Sequence, residues 1–315
     1  MTREQDDRTA PEISAVITCY YEENTIDEFY GRLSKTLESM GRPYEIIIVN
    51  DGSSDATFER LKAIFQRDPH VSAVMDFFRN AGQLRAWTAG ICQARGKVVL
   101  LMDSDLQLAP EELPLLMEEY DKGYDVVSGY RKDRKDSLFR IFPSKLANMI
   151  MRRASQTDLS DFGCTFKLYN ADLLRAFELG PFKPFATASI ISRAGRWKEV
   201  PVSHSQRPHG ESGWTFKKLW EFNMENVVSF LDKPFQVIAG VCAVAALLLL
   251  LRLGIEIFTP ISVIGTVTNA LLLYATTISL LIIASLLCLT GEFVIRSFKA
   301  SQRLPAYIVR EKLER

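Results

Sequence analysis

The chain has 315 residues, with 38 basic and 38 acidic side chains, so its formal net charge is zero. The overall charge therefore gives no reason to expect a polyanion as a partner, and no nucleic acid partner is predicted. The five cysteines form no Cys-x-x-Cys pair, which argues against a zinc site or a disulfide framework and is typical of a reducing compartment.

Strand-like and helix-like segments alternate from the N-terminus onward. Residues 1–12 are polar and predict a mobile tail without a signal peptide, and ISAVITC (13–19) predicts a first strand. Apolar residues at helical spacing then predict a helix that begins near Thr25 and ends at Gly41. The continuous apolar run YEIIIVN (44–50) is typical of a strand buried on both faces of a parallel sheet.

The alternation continues beyond the second strand. Helices are predicted from Ser54-Asp55 and near 83–94 and 111–122, and strands over 71–77, 97–103 and 124–130. This order indicates a doubly wound α/β sheet, in which ligands bind at the carboxyl ends of the strands. We therefore expect functional residues in three polar segments that follow strands, namely Tyr20–Glu23, Asn50–Asp55 and Asp103–Gln107.

Two aspartates follow the buried strand in VVLLMDSDLQ (98–107). Alternate side chains lie on one side of an extended chain, so the oxygens of Asp103, Asp105 and Gln107 are expected to converge. Three oxygen ligands suit Mg²⁺ or Mn²⁺. A solvated acidic turn is the alternative that these ten residues leave open.

The chain has no glycine-rich loop for phosphate. A Gly-x-Gly-x-x-Gly sequence after the first strand and a Walker loop are both absent from the sequence. A divalent cation would then have to hold a diphosphate, which favours the metal interpretation of Asp103 and Asp105. In VNDGSSD (49–55), a strand–turn–helix connection with serine caps explains the glycine and serines, but not Asn50 and Asp51. A carboxylate there can accept hydrogen bonds from a base N–H or from ribose hydroxyls.

The C-terminal third is apolar. Residues 235–251 and 257–291 carry no charge, and two such stretches side by side predict a transmembrane hairpin. The tail 292–315 is basic, which by the positive-inside tendency places the preceding globular domain and both termini in the cytosol, at the inner membrane. Tryptophans and lysines over 214–234 predict an amphipathic segment at the membrane interface, or a helix packed on the globular domain.

Four motifs occur in a fixed order along the chain, namely YYEEN (20–24), VNDGSSD (49–55), RNAGQ (79–83) and MDSDLQ (102–107). In this order they resemble the motifs of family-2 inverting glycosyltransferases with a GT-A fold. The apolar hairpin and GEF (291–293), with SDFGCTFKLY (160–169) and RPHGESGW (207–214), resemble the membrane-bound polyprenyl-phosphate glycosyltransferases.

The resemblance implies a fold class and a domain plan. The fold is an α/β GT-A (Rossmann-like) mixed sheet flanked by helices, followed by interfacial helices and a two-helix transmembrane hairpin. The parts are a mobile tail (1–12), a catalytic domain (13–213), an interfacial segment (214–234), two transmembrane helices (235–291) and a cytosolic basic tail (292–315).

On the donor side, the resemblance implies two groups of residues. The nucleoside is held by Tyr20, Glu22 and Asp51, and the metal with its diphosphate is held by Asp103, Asp105 and Gln107. Asp105 would thereby take part in catalysis through Mg²⁺ or Mn²⁺. Ser104 stands where alanine is usual, and its side chain is expected to point away from the metal.

On the acceptor side, Arg131 and Arg207 match positions that face phosphate, and Ser212 lies in the same loop as Arg207. Guanidinium groups bind phosphate bidentately, which agrees with that role. Asp161 matches an acidic residue beside the acceptor, where it would orient the acceptor or remove a residual proton. A turn cap before Gly163 is the alternative for Asp161.

The expected activity is inverting, metal-dependent transfer of a sugar from a nucleotide sugar, UDP-linked by preference, to polyprenyl phosphate at the bilayer. Two alternatives are a glycosyltransferase with an alcohol acceptor and an inactive membrane scaffold on the same frame. The sequence leaves open which sugar is moved and whether the chain forms a homo-oligomer.

Overall fold

The computed structural model describes residues 10–132, 159–161, 163–205, 244, 264–301 and 304–315. The chain divides into two compact units. The first consists of residues 1–230 together with 305–315, and the second of residues 231–304.

A mixed eight-stranded sheet forms the centre of the first unit. Its strands are β1 (Ile13–Cys19), β2 (Tyr44–Asn50), β3 (Val71–Phe77), β4 (Val98–Asp103), β5 (Val126–Arg131), β6 (Lys167–Asn170), β7 (Trp197–Val202) and β8 (Val309–Glu314). Their spatial order is β7-β5-β6-β4-β1-β2-β3-β8. Strands β4, β1, β2 and β3 are mutually parallel, whereas β6 and β8 run antiparallel to their neighbours.

Helices cover both faces of this sheet. Those of the described residues are α1 (Ile26–Ser39), α2 (Thr57–Arg67), α3 (Gln83–Ile91), α4 (Leu113–Tyr120), α5 (Ala171–Arg175), α6 (Thr187–Ile191) and α7 (Ile264–Ser301). One core cluster contains residues of α1, α2 and α4, and the other contains residues of α3, α5 and α6. Apart from α7, which belongs to the second unit, the helices therefore form two layers around the sheet.

Burial on both faces explains the apolar sequence of the central strands. In β1, Ile13 and Ile17 pack in the first cluster, while Val16 packs in the second. Helix α3 approaches β1 closely at Gly90, where a Cβ atom would lie 2.2 Å from Val16 Cγ1. Both neighbours of β1 are parallel to it, which is the environment that such uninterrupted apolar strands require.

Strand β8 was not predicted from the sequence, which suggests only a basic tail over 292–315. Residues 309–314 pair antiparallel with β3 at the edge of the sheet. Just before this strand, the ring of Tyr307 stacks on Phe77 with 5.0 Å between centroids. Charged side chains are common on exposed edge strands, and for this reason VREKLE reads as a solvated tail.

The second unit is described mainly through α7, which has 38 residues. Within the described part of the chain, no helix combines the length and the apolarity needed to cross a membrane. The predicted interfacial segment 214–234 and, except for Val244, the first apolar stretch 235–251 lie outside the described residues.

Candidate active site

The three polar segments singled out in the sequence meet at one edge of the sheet. Strand β1 pairs with β2 on one side and with β4 on the other. Cys19 lies opposite Asn50, and Thr18 lies opposite Asp103. The residues that follow these parallel strands therefore leave the sheet side by side, as the sequence predicts.

Asp103 is held in a fixed orientation at this edge. The Thr18 hydroxyl donates to its Oδ1 at 2.8 Å, and the Gln83 side-chain amide donates to both carboxylate oxygens, at 2.6 and 2.5 Å. Burial and, after it, the charge of Asp105 raise the pKa of Asp103 to about 7, although the hydrogen bonds from Thr18 and Gln83 lower it. Gln83 belongs to the RNAGQ motif, but no role was predicted for it from the sequence.

The expectation that the chain stays extended through Asp103, Asp105 and Gln107 is wrong. Strand β4 ends at Asp103, and Leu106 adopts a left-handed conformation with φ 58°. The turn is closed by the Gln107 backbone N–H, which donates to Asp105 Oδ1 at 3.1 Å. Exposure still alternates, because Ser104 and Leu106 are buried and the three polar residues are partly exposed.

The predicted metal site therefore has a different geometry from three alternate positions on a strand. Among the described residues, no group of three or more His, Cys, Asp and Glu side chains is placed to hold a metal ion. The predicted set contains only two carboxylates, those of Asp103 and Asp105, with the amide of Gln107. Its role in metal binding stays a prediction. Ser104 is 1% exposed, in agreement with a side chain that points away from the site.

Asp51 is buried and fixes the loop that carries Gln83. Its carboxylate accepts hydrogen bonds from the backbone N–H groups of Ala81 (2.7 Å) and Gly82 (2.9 Å) and from the Asn80 side chain (2.9 Å). Burial raises the pKa of Asp51 to about 6, although the two backbone hydrogen bonds lower it. Asp51 therefore affects Asp103 only indirectly, because it fixes the loop that carries Gln83 and Gln83 binds Asp103. Its predicted contact with a nucleoside stays a prediction.

Gly52 allows the turn after β2 to lie directly on the same loop. Its φ is +71°, and a Cβ atom at this position would lie 2.3 Å from the Arg79 carbonyl carbon and 2.6 Å from the Asn80 nitrogen. Both the conformation and the contact require glycine. The turn and the RNAGQ loop therefore form one packed unit beside β4.

The segment after β1 presents two tyrosine rings at the edge. Tyr20 and Tyr21 are 37% and 50% exposed, with ring centroids 4.5 Å apart in an edge-to-face arrangement. Partial burial and the adjacent Tyr21 raise the pKa of Tyr20. Glu22, by contrast, is buried and accepts a hydrogen bond from the Thr25 hydroxyl. Tyr20 is well placed to contact a planar base, whereas Glu22 shapes the start of α1.

The predicted serine caps of the second helix serve a different purpose. Helix α2 begins at Thr57, and Ala56 at its N-cap position makes no side-chain cap hydrogen bond. The Ser53 hydroxyl instead accepts from the Tyr21 backbone N–H at 3.0 Å, and the Ser54 hydroxyl lies 2.8 Å from the Tyr21 hydroxyl. Both serines therefore stabilise the segment after β1.

Arg131 and Asp161, both predicted at the acceptor side, bind each other. The guanidinium donates from Nε to Oδ2 at 2.7 Å and from a terminal nitrogen to Oδ1 at 2.9 Å. The Gly163 backbone N–H also donates to Oδ1, at 3.2 Å. Both carboxylate oxygens of Asp161 are thus engaged by Arg131, an arrangement that suits the predicted orienting role.

Further charges lie around this ion pair. Glu199 on β7 accepts hydrogen bonds from the backbone N–H and the hydroxyl of Ser160, which positions the residue before Asp161. Lys167 on β6 is 2% exposed, donates to the Cys164 carbonyl, and has its pKa lowered by burial. The sequence did not single out Lys167. Arg207 and Ser212, the other predicted acceptor residues, lie outside the described residues.

Substitution of Arg131 by lysine is expected to lower the free energy of unfolding by about 1–3 kcal/mol. Lysine keeps the charge but loses the second contact of the planar fork with Asp161. The matched control is Arg60→Lys, because Arg60 pairs with Asp27 through an exposed contact of 2.9 Å. That change should stay within about 0.5 kcal/mol. Chemical denaturation measures the free energy of unfolding of both variants. Equal losses would show that the ion pair of Arg131 with Asp161 stabilises the fold no more than the exposed pair of Arg60 with Asp27.

A family model and curated relatives match the chain. Residues 14–177 match the model of Glycosyl transferase family 2. An undecaprenyl-phosphate 4-deoxy-4-formamido-L-arabinose transferase from Edwardsiella ictaluri is 36% identical over 247 residues, which are 77% of this chain and 75% of the relative. The protein of the same name from Salmonella paratyphi B is 33% identical over 256 residues, covering 77% of each chain.

Solved structures share the fold at lower identity. Glucosyl-3-phosphoglycerate synthase from Mycobacterium tuberculosis superposes with a TM-score of 0.53 at 19% identity, covering 71% of this chain and 80% of the other. A complex of that synthase with Mn²⁺, UDP-glucose and phosphoglyceric acid gives a TM-score of 0.52 at 19% identity, covering 71% and 79%. These likenesses bear out the GT-A-like sheet with flanking helices. The family match covers more than half of the chain, which therefore belongs to glycosyl transferase family 2 and is a glycosyltransferase.

Proposed function

We propose that the protein transfers a sugar from a nucleotide donor, UDP-linked by preference, to the phosphate of polyprenyl phosphate, with inversion at the anomeric carbon. One observation carries the choice of acceptor. The chain is 36% identical, over 77% of its length, to a protein named as an undecaprenyl-phosphate sugar transferase. The products would be polyprenyl-phosphate-sugar and a nucleoside diphosphate.

The residues at the carboxyl ends of β1 and β4 support the proposal of a nucleotide-sugar donor. Tyr20 and Tyr21 offer exposed rings beside the end of β1, and the carboxylates of Asp103 and Asp105 follow β4 directly next to it. A base stacked on an aromatic ring would then lie near a diphosphate held at the two carboxylates. The structurally similar synthase was solved with UDP-glucose and Mn²⁺, which supports a uridine nucleotide here.

Asp103 and Asp105 fit a divalent cation. Both are partly exposed hard-oxygen donors. Burial and, after it, the charge of Asp105 raise the pKa of Asp103, and a bound cation would favour the charged form of both carboxylates. When bound, Mg²⁺ or Mn²⁺ would stabilise the negative charge that develops on the leaving diphosphate. Gln83 and Thr18 fix the orientation of the Asp103 carboxylate for this purpose.

The proposal of a phosphate acceptor agrees with the contacts that Asp161 makes. A phosphate monoester is largely dianionic near neutral pH, because its second pKa is about 6. Such an acceptor needs no strong base, and Asp161 can orient Arg131 toward phosphate. An alcohol acceptor would need a base for its proton, whereas both carboxylate oxygens of Asp161 already accept hydrogen bonds from Arg131. The two edge aspartates argue against an inactive scaffold.

We further propose that residues 235–251 and 257–291 cross the inner membrane as a hairpin, with the catalytic unit and both termini in the cytosol. The uncharged sequence of both stretches supports this, whereas the described helices alone do not reach the length and apolarity of a membrane span. The chain also leaves the first unit after residue 230 and returns to it at residue 305. An insert that starts and ends on the same side must cross a bilayer an even number of times.

The proposed activity is tested with the full-length protein in detergent or nanodiscs. Radiolabelled sugars from a panel of UDP- and other nucleotide sugars are offered together with undecaprenyl phosphate, and lipid products are separated by chromatography. We expect label in a lipid phosphate that releases free sugar on mild acid treatment. Label found only in a product with an alcohol acceptor would favour the alternative transferase, and absence of any labelled product from the whole panel would contradict the proposal.

Removal of divalent cations is expected to abolish transfer reversibly. Treatment with EDTA should reduce turnover to background, and addition of Mg²⁺ or Mn²⁺ in excess should restore it, because Asp103 and Asp105 alone would repel a diphosphate. Turnover is measured as labelled lipid per minute. Full activity in EDTA, after dialysis against a chelating resin, would contradict the assignment of the two aspartates to a metal.

A further inference from the structure

A continuous chain of hydrogen bonds joins strand β8 to the segment after β1. The Arg310 Nε donates to Asp76 Oδ2 at 2.6 Å, and the Asn50 side-chain amide donates to Asp76 Oδ1 at 2.7 Å. The Ser53 hydroxyl donates to Asn50 Oδ1 at 2.5 Å. The Tyr21 backbone N–H donates to that same hydroxyl at 3.0 Å. Four hydrogen bonds thus connect a C-terminal guanidinium to the backbone of the proposed nucleotide segment.

The middle of this chain is shielded from water. Asp76 and Asn50 are 0% exposed, and Ser53 is 5% exposed. Burial of an unpaired charge is costly, and Arg310 pairs with Asp76 through Nε and through a second guanidinium nitrogen that contacts the same oxygen. The Arg310 side chain is itself 46% exposed, so it brings its charge to Asp76 from the edge of the sheet.

The series of hydrogen bonds from Tyr21 to Asp76 runs in one direction. The Ser53 hydroxyl accepts from Tyr21 and must donate to Asn50, which fixes the oxygen of the Asn50 amide toward Ser53 and its nitrogen toward Asp76. Each group therefore strengthens the next, and every donor points toward the carboxylate. Loss of the cation at one end would leave the carboxylate uncompensated and disturb the whole arrangement.

The series of hydrogen bonds ends at Tyr21, whose backbone conformation is strained. Tyr21 is not a glycine, yet its backbone is left-handed with φ 59°. Such a conformation persists only when surrounding contacts hold it. Those contacts are the hydrogen bond to Ser53 and the contact of the Tyr21 hydroxyl with Ser54 at 2.8 Å. The conformation of Tyr21 in turn sets where the ring of its neighbour Tyr20 lies.

We propose that Arg310 is a positioning residue for the donor nucleotide, acting through Asp76, Asn50 and Ser53 on the backbone of Tyr21. Strand β8 then does more than cover the edge of β3, because backbone pairing alone would serve that purpose with any side chain at position 310. The identity of the ligand rests on the proposed function, whereas the coupling between β8 and the segment after β1 does not.

The test compares Arg310→Met with Lys312→Met in the full-length protein. Lys312 lies on the same strand, but its ammonium donates to the Gln93 side chain at the surface, at 2.9 Å. Hydrogen exchange is measured without nucleotide on a peptide that spans residues 19–25. UDP binding with Mn²⁺ is measured by calorimetry, and the KM values for donor and for undecaprenyl phosphate are measured separately.

We expect Arg310→Met to accelerate exchange over residues 19–25, to weaken UDP binding about tenfold and to raise the donor KM, with the acceptor KM unchanged. Lys312→Met should alter none of these quantities. Adding Asp76→Asn to Arg310→Met should restore part of the protection and of the affinity, because asparagine removes the unpaired charge and still accepts from Asn50. If Arg310→Met does not fold, Arg310→Lys should show the same changes at smaller size.

Two results would overturn the proposal. One is unchanged exchange and unchanged UDP affinity in a folded Arg310 variant. The other is an equal loss in Lys312→Met, which would reduce the effect to damage of the edge strand. Failure of the proposed function would look different, because the wild-type protein would then bind no UDP while exchange at residues 19–25 still responded to Arg310→Met.

Discussion

Substitution of Asp105 by asparagine is expected to reduce sugar transfer about 100- to 1,000-fold while the protein stays folded. In the wild type, the Gln107 backbone N–H donates to Asp105 Oδ1 at 3.1 Å. Asparagine keeps an Oδ1 atom that can accept this hydrogen bond, so the turn after β4 is preserved. Only the charge is lost, and with it the proposed metal contact. The expected effect on the barrier is about 3–4 kcal/mol, the scale for loss of one group that stabilises charge in a transition state.

The measurement is turnover at saturating donor and acceptor with Mg²⁺ or Mn²⁺ in excess. Asp172→Asn is the matched control, because Asp172 is an aspartate whose 87% exposed side chain pairs with Arg175 at the surface. Its turnover should equal that of the wild type. Circular dichroism and the unfolding midpoint show whether Asp105→Asn stays folded. Near-normal turnover in a folded Asp105→Asn protein would remove Asp105 from the site.

Substitution of Gly52 by alanine is expected to lower the free energy of unfolding by about 3 kcal/mol or more. The left-handed backbone accounts for about 1–2 kcal/mol, and the rest comes from a Cβ atom placed 2.3 Å from the Arg79 backbone. Relief of that contact requires the Gly52 turn and the RNAGQ loop to move apart. Since the loop carries Gln83, the variant should also lose transfer activity.

Gly41→Ala provides a control with the same backbone conformation. Gly41 has φ +62°, but no atom lies within 4 Å of the position that its Cβ would occupy. We expect a loss of about 1–2 kcal/mol without an effect on activity. Denaturant titration of both variants separates the clash from the strain. Equal losses in the two variants would mean that the Gly52 turn yields to the extra atom, and that its packing on the RNAGQ loop does not matter.

The first three strands could be predicted to the residue. The segments 13–19, 44–50 and 71–77 coincide with β1, β2 and β3. Apart from the partly buried Tyr44 at the start of β2, every residue in these three strands is buried. Strands covered by helices on both faces have such uninterrupted buried sequences. The position of the site followed from the same strands, because their carboxyl ends must lie together.

The outer strands could not be predicted in this way. Strand β6 has only four residues, β7 contains Pro201 and exposed positions, and β8 is mostly charged. Strands β7 and β8 form the two edges of the sheet, where one side of the backbone has no partner and apolar runs are a liability. Their pairing is fixed by distant parts of the chain, which leave no local periodicity to read.

Side-chain contacts within the site could not be predicted from the local sequence either. Arg131 and Asp161 were both expected to face the acceptor, and the motifs gave no sign that they bind each other across 30 residues of sequence. The link from Gln83 to Asp103 is of the same kind, between positions 20 apart in the sequence. Sequence motifs identify which residue types gather at a strand edge, whereas the partners depend on the tertiary fold.

The late pairing of β8 has a consequence for the order in which the chain is made. Arg310 follows its partner Asp76 by 234 residues, so the outer edge of β3 has no partner until α7 and the residues after it have left the ribosome. An open parallel edge of this kind is a template for pairing with other chains. Any shortened version that stops before residue 305 would keep that edge open, with the carboxylate of Asp76 deprived of its arginine.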